Sequence, residues 1–201
     1  MTVECVTDVS LADRLQQLDQ ETWRRTSAIA KSDDWAARIK LSNEAPHLSR
    51  INVLRRNDRV GPESIIAFSW ACMHGDVVHY AAAASTRAND LKIPMTYPLV
   101  WDLMRWARRS GARRFDFGGI TAGHQNGDDP LGGISDFKRY FTHDEVEVGQ
   151  QWELELLPTR VAATRFAAAV VRRGSVLVAG RAQAAARIRQ FTVGTLTMVP
   201  F

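Results

Sequence analysis

The sequence predicts an α/β (α+β) chain: a mixed central sheet flanked by helices, with a C-terminal basic helical tail. Three observations predict it. Short β-branched and aromatic runs alternate along the chain with amphipathic stretches, and the two have different apolar periods. The strongest amphipathic stretch, Pro98 to Gly111, lies between two strand-like runs, as a crossover helix does. Residues 158–201 then change to an Ala- and Arg-rich composition with seven arginines and no acidic residue.

Each element follows from its own pattern. Val9, Leu11, Leu15 and Leu18 recur at helical spacing over Asp8–Leu18, and Trp23 and Ile29 mark a second helix over Glu21–Lys31. Ile51–Leu54 is a short β-branched run. Ile65–Met73 and Val77–Ala84 flank the tight turn His74-Gly75-Asp76, which makes a β-hairpin. Ser85–Pro94 is polar and loop-like. In the next helix Pro98 suits the first turn, and Gly111 closes the last. Leu99, Val100, Leu103, Met104, Trp106 and Ala107 form its apolar stripe. Arg113–Phe117 is a strand with Phe115 and Phe117 on one side and Asp116 on the other. Six glycines occupy the 16-residue loop Gly118–Gly133, which leads to a short helix over Ser135–Phe141 and an alternating strand over Val146–Leu157. The helix between Val77–Ala84 and Arg113–Phe117 demands a right-handed crossover joining parallel strands. Residues 1–157 read as the sheet domain and 158–201 as the tail, two helices ending in the apolar segment Phe191–Phe201.

Composition bounds the function. At 201 residues the chain is long enough to bury a core, and it has no apolar run of about 18 residues that would span a membrane. The opening Met1-Thr-Val-Glu-Cys5 has no apolar signal core, and Cys5 and Cys72 lie far apart, so a cytoplasmic protein with free thiols is expected. Neither those cysteines nor the histidines at 47, 74, 79, 124 and 143 have metal-ligand spacing, so no metal is expected, and each histidine reads as a surface or core residue. Outside the tail, 19 basic residues face 22 acidic ones, whereas the tail carries +7. A basic tail on an acidic body fits an anionic partner: RNA, a phospholipid surface or a phosphorylated substrate. A solvated amphipathic helix pair has the same composition.

No phosphate-binding Gly-Lys-Ser/Thr loop, dinucleotide fingerprint or serine nucleophile elbow occurs in the chain. The segment Phe115-Asp-Phe-Gly-Gly119 places a carboxylate and a glycine pair at the C-terminal end of a strand, where open α/β sheets bind ligands. Asp116 there is either a ligand-facing carboxylate or a loop brace. Gly118 and Gly119 either admit a close backbone approach or simply loosen the loop. Lys138, one of four lysines, lies between Phe137 and Arg139 in Asp136-Phe-Lys-Arg-Tyr-Phe141. Its stem can rest on aromatic rings while the ammonium reaches an anion, though the residues alone favour a surface lysine.

Three segments taken together resemble one family. They are Tyr97-Pro-Leu-Val-Trp-Asp-Leu-Met-Arg-Trp-Ala-Arg-Arg-Ser-Gly111, Arg114-Phe-Asp-Phe-Gly-Gly-Ile120 and Gly133-Ile-Ser-Asp-Phe-Lys-Arg-Tyr-Phe141. In this order and spacing they resemble the Fem-type (FemABX) peptidyltransferases of the GNAT acyltransferase superfamily, over roughly residues 18–157. The resemblance implies a GNAT fold with splayed central strands. It implies an aminoacyltransferase that forms an amide between an aminoacyl group, delivered by aminoacyl-tRNA, and the amine of a small-molecule or peptide acceptor. Lys138 and Asp116 become the expected catalytic residues. Phe137, Arg139, Gly118, Gly119 and Tyr97 become the expected substrate contacts. Arg113, Arg165, Arg172 and Arg173 are expected to bind tRNA phosphates. Such enzymes usually have two GNAT-like domains where this chain has length for one, which a homodimer would complete.

The donor expectation also has a physical side. Acyl-CoA-dependent relatives hold the pyrophosphate in a Gly-rich loop, and Ala84–Pro94 has no glycine, so no cofactor is expected and coenzyme A is disfavoured. Catalysis then reduces to alignment and oxyanion stabilisation. Backbone N–H groups around Val78–Ala82 and Lys138 are expected to hold the oxyanion, with Asp116 orienting the amine or taking its proton. Two alternatives stand beside this reading: an N-acyltransferase using acyl-CoA or a carrier-protein thioester, and a catalytically silent domain that binds RNA or a membrane.

Overall fold

In the computed structural model, residues 1–25, 33–87, 93–121, 132–147 and 195–201 are described. The chain separates into two compact units, residues 1–146 with 195–201, and residues 147–194. The first unit holds the sheet. Its strands are β1 (Thr2–Cys5), β2 (Ser49–Arg55), β3 (Ile65–His74), β4 (Val77–Ser85), β5 (Arg114–Ile120), β6 (Glu145–Glu147) and β7 (Thr195–Pro200), and its helices are α1 (Ala12–Arg25), α2 (Trp35–Glu44), α3 (Thr96–Arg109) and α4 (Gly132–Arg139). The spatial order is β1-β2-β3-β4-β5-β7-β6. The first four strands are antiparallel neighbours, β4 and β5 are parallel, and β5 and β7 are antiparallel. The hairpin and the parallel crossover through α3 are therefore as the sequence predicts.

Helices cover both faces. Leu15, Leu18, Trp35 and Ile39 of α1 and α2 bury against Ile51, Val53 and Phe68. Val100, Leu103, Trp106 and Ala107 of α3 bury against Val78, Phe115 and Phe117 on the opposite face. Full burial of each such large side chain contributes about 1.5–3 kcal/mol, which makes these two layers the main stabilisation of the sheet. Trp35 meets Phe68 edge-on at 4.7 Å, and Trp70 Nε1 donates to Ser49 Oγ at 3.0 Å.

Two local readings are corrected and two elements are added to those the sequence predicts. Asp8–Leu18 and the described part of Glu21–Lys31 are not two helices; α1 runs unbroken through Gln20 to Arg25, because packing against the sheet rewards a continuous helix, and residues 26–31 lie outside the described residues. β1 is an edge strand whose alternation is too short to read. α2 buries only Trp35, Ile39 and Ser42, too sparse a stripe to read, and is started by Asp34, which accepts from Ala37 N–H at 2.9 Å. Thr195–Pro200, read as the apolar end of a helical tail, is a strand beside β5. The remainder of that tail, and the strand predicted beyond Glu147, lie outside the described residues. No helix among the described residues is long and apolar enough to cross a membrane.

Candidate active site

The two parallel strands stay together for three pairs only: Val77 with Arg114, Val78 with Phe115, and His79 with Asp116. Beyond His79 and Asp116 the strands part. One cause is visible in β4. Trp70 pairs with Ala82 but Ala71 pairs with Tyr80, so Ala81 is an extra residue that bends β4. β5 has its own irregularity: Asp116 pairs with Met198 and Gly119 with Leu196, so Phe117 and Gly118 oppose a single residue. Gly118 has φ +76°, a left-handed conformation that L side chains resist, so glycine is what allows the bulge. Among the described residues, backbone groups of β4 beyond His79 thus face an opening rather than a partner strand.

At the closed end of this opening stands a pair the sequence did not reveal. His79 Nδ1 lies 2.9 Å from Asp116 Oδ2. Asp116 Oδ1 accepts the Gly118 N–H at 2.6 Å, so the carboxylate is fixed through both oxygens. Asp116 is 5% exposed and His79 48% exposed, which leaves the imidazole reachable while its partner is sealed. Alternate strand residues point to opposite faces. Val78, Tyr80, Phe115 and Phe117 belong to the α3 layer, so His79 and Asp116 face the α1–α2 side. Asp116 was legible as a strand-end carboxylate; His79 was not, because only the parallel register brings them together.

Lys138 arrives from the other layer. Its Nζ donates to the Gly119 carbonyl at 2.6 Å. A Cβ built on Gly118 would lie 3.8 Å from that nitrogen. Burial lowers the Lys138 pKa below the usual lysine range, and the nearby Asp116 charge partly offsets this. The ammonium is therefore engaged at the β5 bulge, with two further donors left by its chemistry. Thr121 N–H donates to Ser135 Oγ at 2.9 Å, and Arg139 donates to Thr121 O at 2.7 Å and to Glu145 at 2.9 Å. These bonds stitch α4 to the end of β5.

Aromatic rings fill the space beside them. Phe137 meets Tyr97 edge-on at 5.1 Å, Tyr97 stacks on Phe141 at 5.4 Å, and Phe117 stacks on Phe141 at 5.0 Å. Burial, then the proximity of Tyr140, raises the Tyr97 pKa. The structure thus gathers Asp116, Gly118, Gly119, Lys138, Phe137 and Tyr97 into one region. Arg139 is there too, but as a brace. Arg113 lies at the other end of β5, donating to Asp76 at 2.7 Å. Arg165, Arg172 and Arg173 lie outside the described residues. No group of three or more metal-ligating side chains occurs among the described residues.

A mixed sheet that opens between two parallel central strands, with helices on both faces and polar groups at the fork, has the architecture of the N-acetyltransferase fold. A family model described as an acetyltransferase (GNAT) domain matches residues 1–139, and the chain belongs to that family. The match is at the level of the acetyltransferase domain rather than the Fem-type branch. No curated protein matches the chain. Several solved structures share the fold. A GCN5-related N-acetyltransferase from Kribbella flavida aligns with a TM-score of 0.55 at 13% identity, over 100% of this chain and 97% of its own. The yncA protein of Salmonella typhimurium, solved with its cofactor acetyl-CoA, aligns with a TM-score of 0.53 at 13% identity, over 100% and 93%. A Mycobacterium tuberculosis protein in complex with CoA aligns with a TM-score of 0.51 at 13% identity, over 100% and 99%.

These neighbours overturn the expectation that coenzyme A is disfavoured and that no cofactor is used. Two of these proteins of the same fold are solved with acetyl-CoA or CoA bound. The missing glycine in Ala84–Pro94 was too strict a criterion, because every residue except proline carries the backbone N–H that can hold a phosphate oxygen.

Proposed function

We propose that this chain is an N-acyltransferase that moves an acyl group from a coenzyme A thioester to the amine of a small-molecule or peptide acceptor. The observation that supports it is the parting of β4 from β5 directly beyond His79 and Asp116. An extended, amide-containing chain fits a strand edge left unpaired in this way, because backbone N–H and C=O groups there lack a strand partner. The N-terminus of α3, at Thr96, follows the connection from β4, and a helix N-terminus attracts a pyrophosphate. Residues Thr96 and Tyr97 would stand nearest that group.

In this mechanism the thioester carbonyl lies at the closed end of the fork. The acceptor amine attacks it, the C–N bond forms, and the C–S bond breaks with its electron pair leaving on sulfur. Alignment supplies much of the rate, since both reactants are held in one cleft. β4 N–H groups at the Ala81 bend and the Lys138 ammonium serve the developing oxyanion. The aromatic layer of Tyr97, Phe117, Phe137 and Phe141 keeps water from the α3 side.

Calorimetric titration with CoA and acetyl-CoA tests the donor, followed by mass spectrometry of products formed from acetyl-CoA and a panel of amines. Saturable CoA binding with a new amide product is the expected outcome. Absence of CoA binding overturns the reading. Parallel incubation with charged tRNA examines the aminoacyl donor that the Phe137-Lys138 motif implies; an amide formed only there would favour that donor instead.

A further inference from the structure

Among the described residues, His79 is the one titratable group that stands at the fork, is reachable from outside, and has a ring nitrogen already committed inward. We infer that His79 accepts the proton of the attacking amine, and that Asp116 is the positioning residue that presents it. This rests on the N-acyltransferase reading above.

The geometry carries it in three steps. An ionised carboxylate can only accept hydrogen bonds, so Asp116 Oδ2 at 2.9 Å holds a proton on His79 Nδ1. In the neutral ring Nε2 is then the lone-pair nitrogen, on a side chain that is about half exposed. Asp116 cannot turn away, because its other oxygen is tied to the Gly118 N–H at 2.6 Å, and Gly118 is held by the bulge that also receives Lys138. A carboxylate that fixes the tautomer and orientation of a histidine, without itself taking the proton, is the division of labour seen in hydrolase triads. Buried and doubly bonded, Asp116 is poorly placed to meet an amine directly. The two roles considered for it, orienting the amine and accepting its proton, pass to His79.

The protons balance. As the C–N bond forms, one amine proton moves to Nε2 and the imidazole becomes imidazolium, facing the Asp116 charge. As the C–S bond breaks, the same proton passes to the thiolate of CoA, and the neutral ring is restored. No further reactant is needed. Several charged or titratable groups border His79. On β5 these are Asp116, and Arg114 two pairs away on the same face. On β3 Cys72 lies in register with His79, and Arg38 of α2 acts on that thiol. Lys138 of α4 acts on Asp116.

Two measurements decide the matter. Long-range 1H–15N spectra of the full chain, with His79 assigned through His79→Gln, report the tautomer. An Nδ1-protonated ring in the wild type, shifting toward the other tautomer in Asp116→Asn, is expected. An Nε2-protonated His79 in the wild type overturns the inference whatever the acyl donor. Thiol release from acetyl-CoA with excess mixed primary amines is then followed against pH. His79→Gln is expected to lower kcat/KM by about 10²–10⁴-fold and to abolish the acidic limb of the wild-type pH profile, with the acetyl-CoA KM nearly unchanged. Asp116→Asn should fall between. A wild-type rate and profile in His79→Gln and His79→Asn overturns the inference. Failure of wild-type protein to bind acetyl-CoA overturns the donor assignment instead, and the same pH comparison is then made with charged tRNA.

Discussion

Lys138 Nζ donates to the Gly119 carbonyl at 2.6 Å, which ties helix α4 to strand β5 beside the bulge. One ammonium thereby joins the element that carries the Phe-Lys motif to the strand that carries Asp116. Lys138→Ala is expected to lower kcat/KM by about 10²-fold or more, the usual loss for one oxyanion donor. Lys138→Arg should retain part of the activity. Burial lowers the lysine pKa, so the positive charge that serves the oxyanion is lost as pH rises through a value below the ordinary lysine range. Wild-type kcat should therefore fall on an alkaline limb earlier than about pH 10.4, and the limb should vanish in Lys138→Arg. A full rate in Lys138→Ala would leave the residue a brace alone.

Gly118 is expected to be costly to replace for a backbone reason rather than a steric one. A Cβ there meets Lys138 Nζ only at 3.8 Å, an ordinary contact, but φ is +76°. Gly118→Ala should lose about 1–2 kcal/mol in urea unfolding, the cost of placing an L side chain in the left-handed region. A loss well under that range would mean that β5 relaxes its bulge, which the same spectra of His79 would show.

Asp19 predicts a pH dependence of stability. It is buried on α1; burial raises its carboxyl above the usual range, while the indoles of Trp23 and Trp35 and the Arg38 charge hold it down against Asp33. A group raised on folding binds more protons in the native state than in the unfolded chain. Its contribution is full below the unfolded value of about 3.9 and is lost as pH rises through the folded value. Asp19→Asn should flatten this part of the profile and gain on the wild type as pH rises toward neutrality. Parallel Tm curves for the two proteins would contradict the assignment.

Removing the end of the chain should weaken the sheet. β7 pairs with β5 from Arg114–Pro200 to Ile120–Thr195. A chain ending at residue 194 leaves an open edge beside the site strand, and its urea midpoint should drop. An unchanged midpoint would show that β7 adds nothing to stability. A test of tRNA binding is therefore better made by changing Arg165, Arg172 and Arg173 to Gln in the full chain. For each lost phosphate contact with single-stranded RNA, the slope of log K against log salt should shrink by about 0.7.

Features set within a few residues could be read before any fold was known. The α3 stripe from Leu99 to Ala107, the hairpin about Gly75, the carboxylate and glycines closing β5, and the Phe-Lys motif were all legible, because periodicity and turn chemistry act within a few residues. Tertiary structure alone decided the rest. Strand order, the return of Thr195–Pro200 to the sheet, the extra residue at Ala81 and the meeting of His79 with Asp116 depend on pairings between distant segments. A histidine in an apolar strand looks like any other until the register of a parallel neighbour sets a buried carboxylate against it. That register is fixed by the packing of α3 and its layer on both strands, a sum over the whole core that no local window contains.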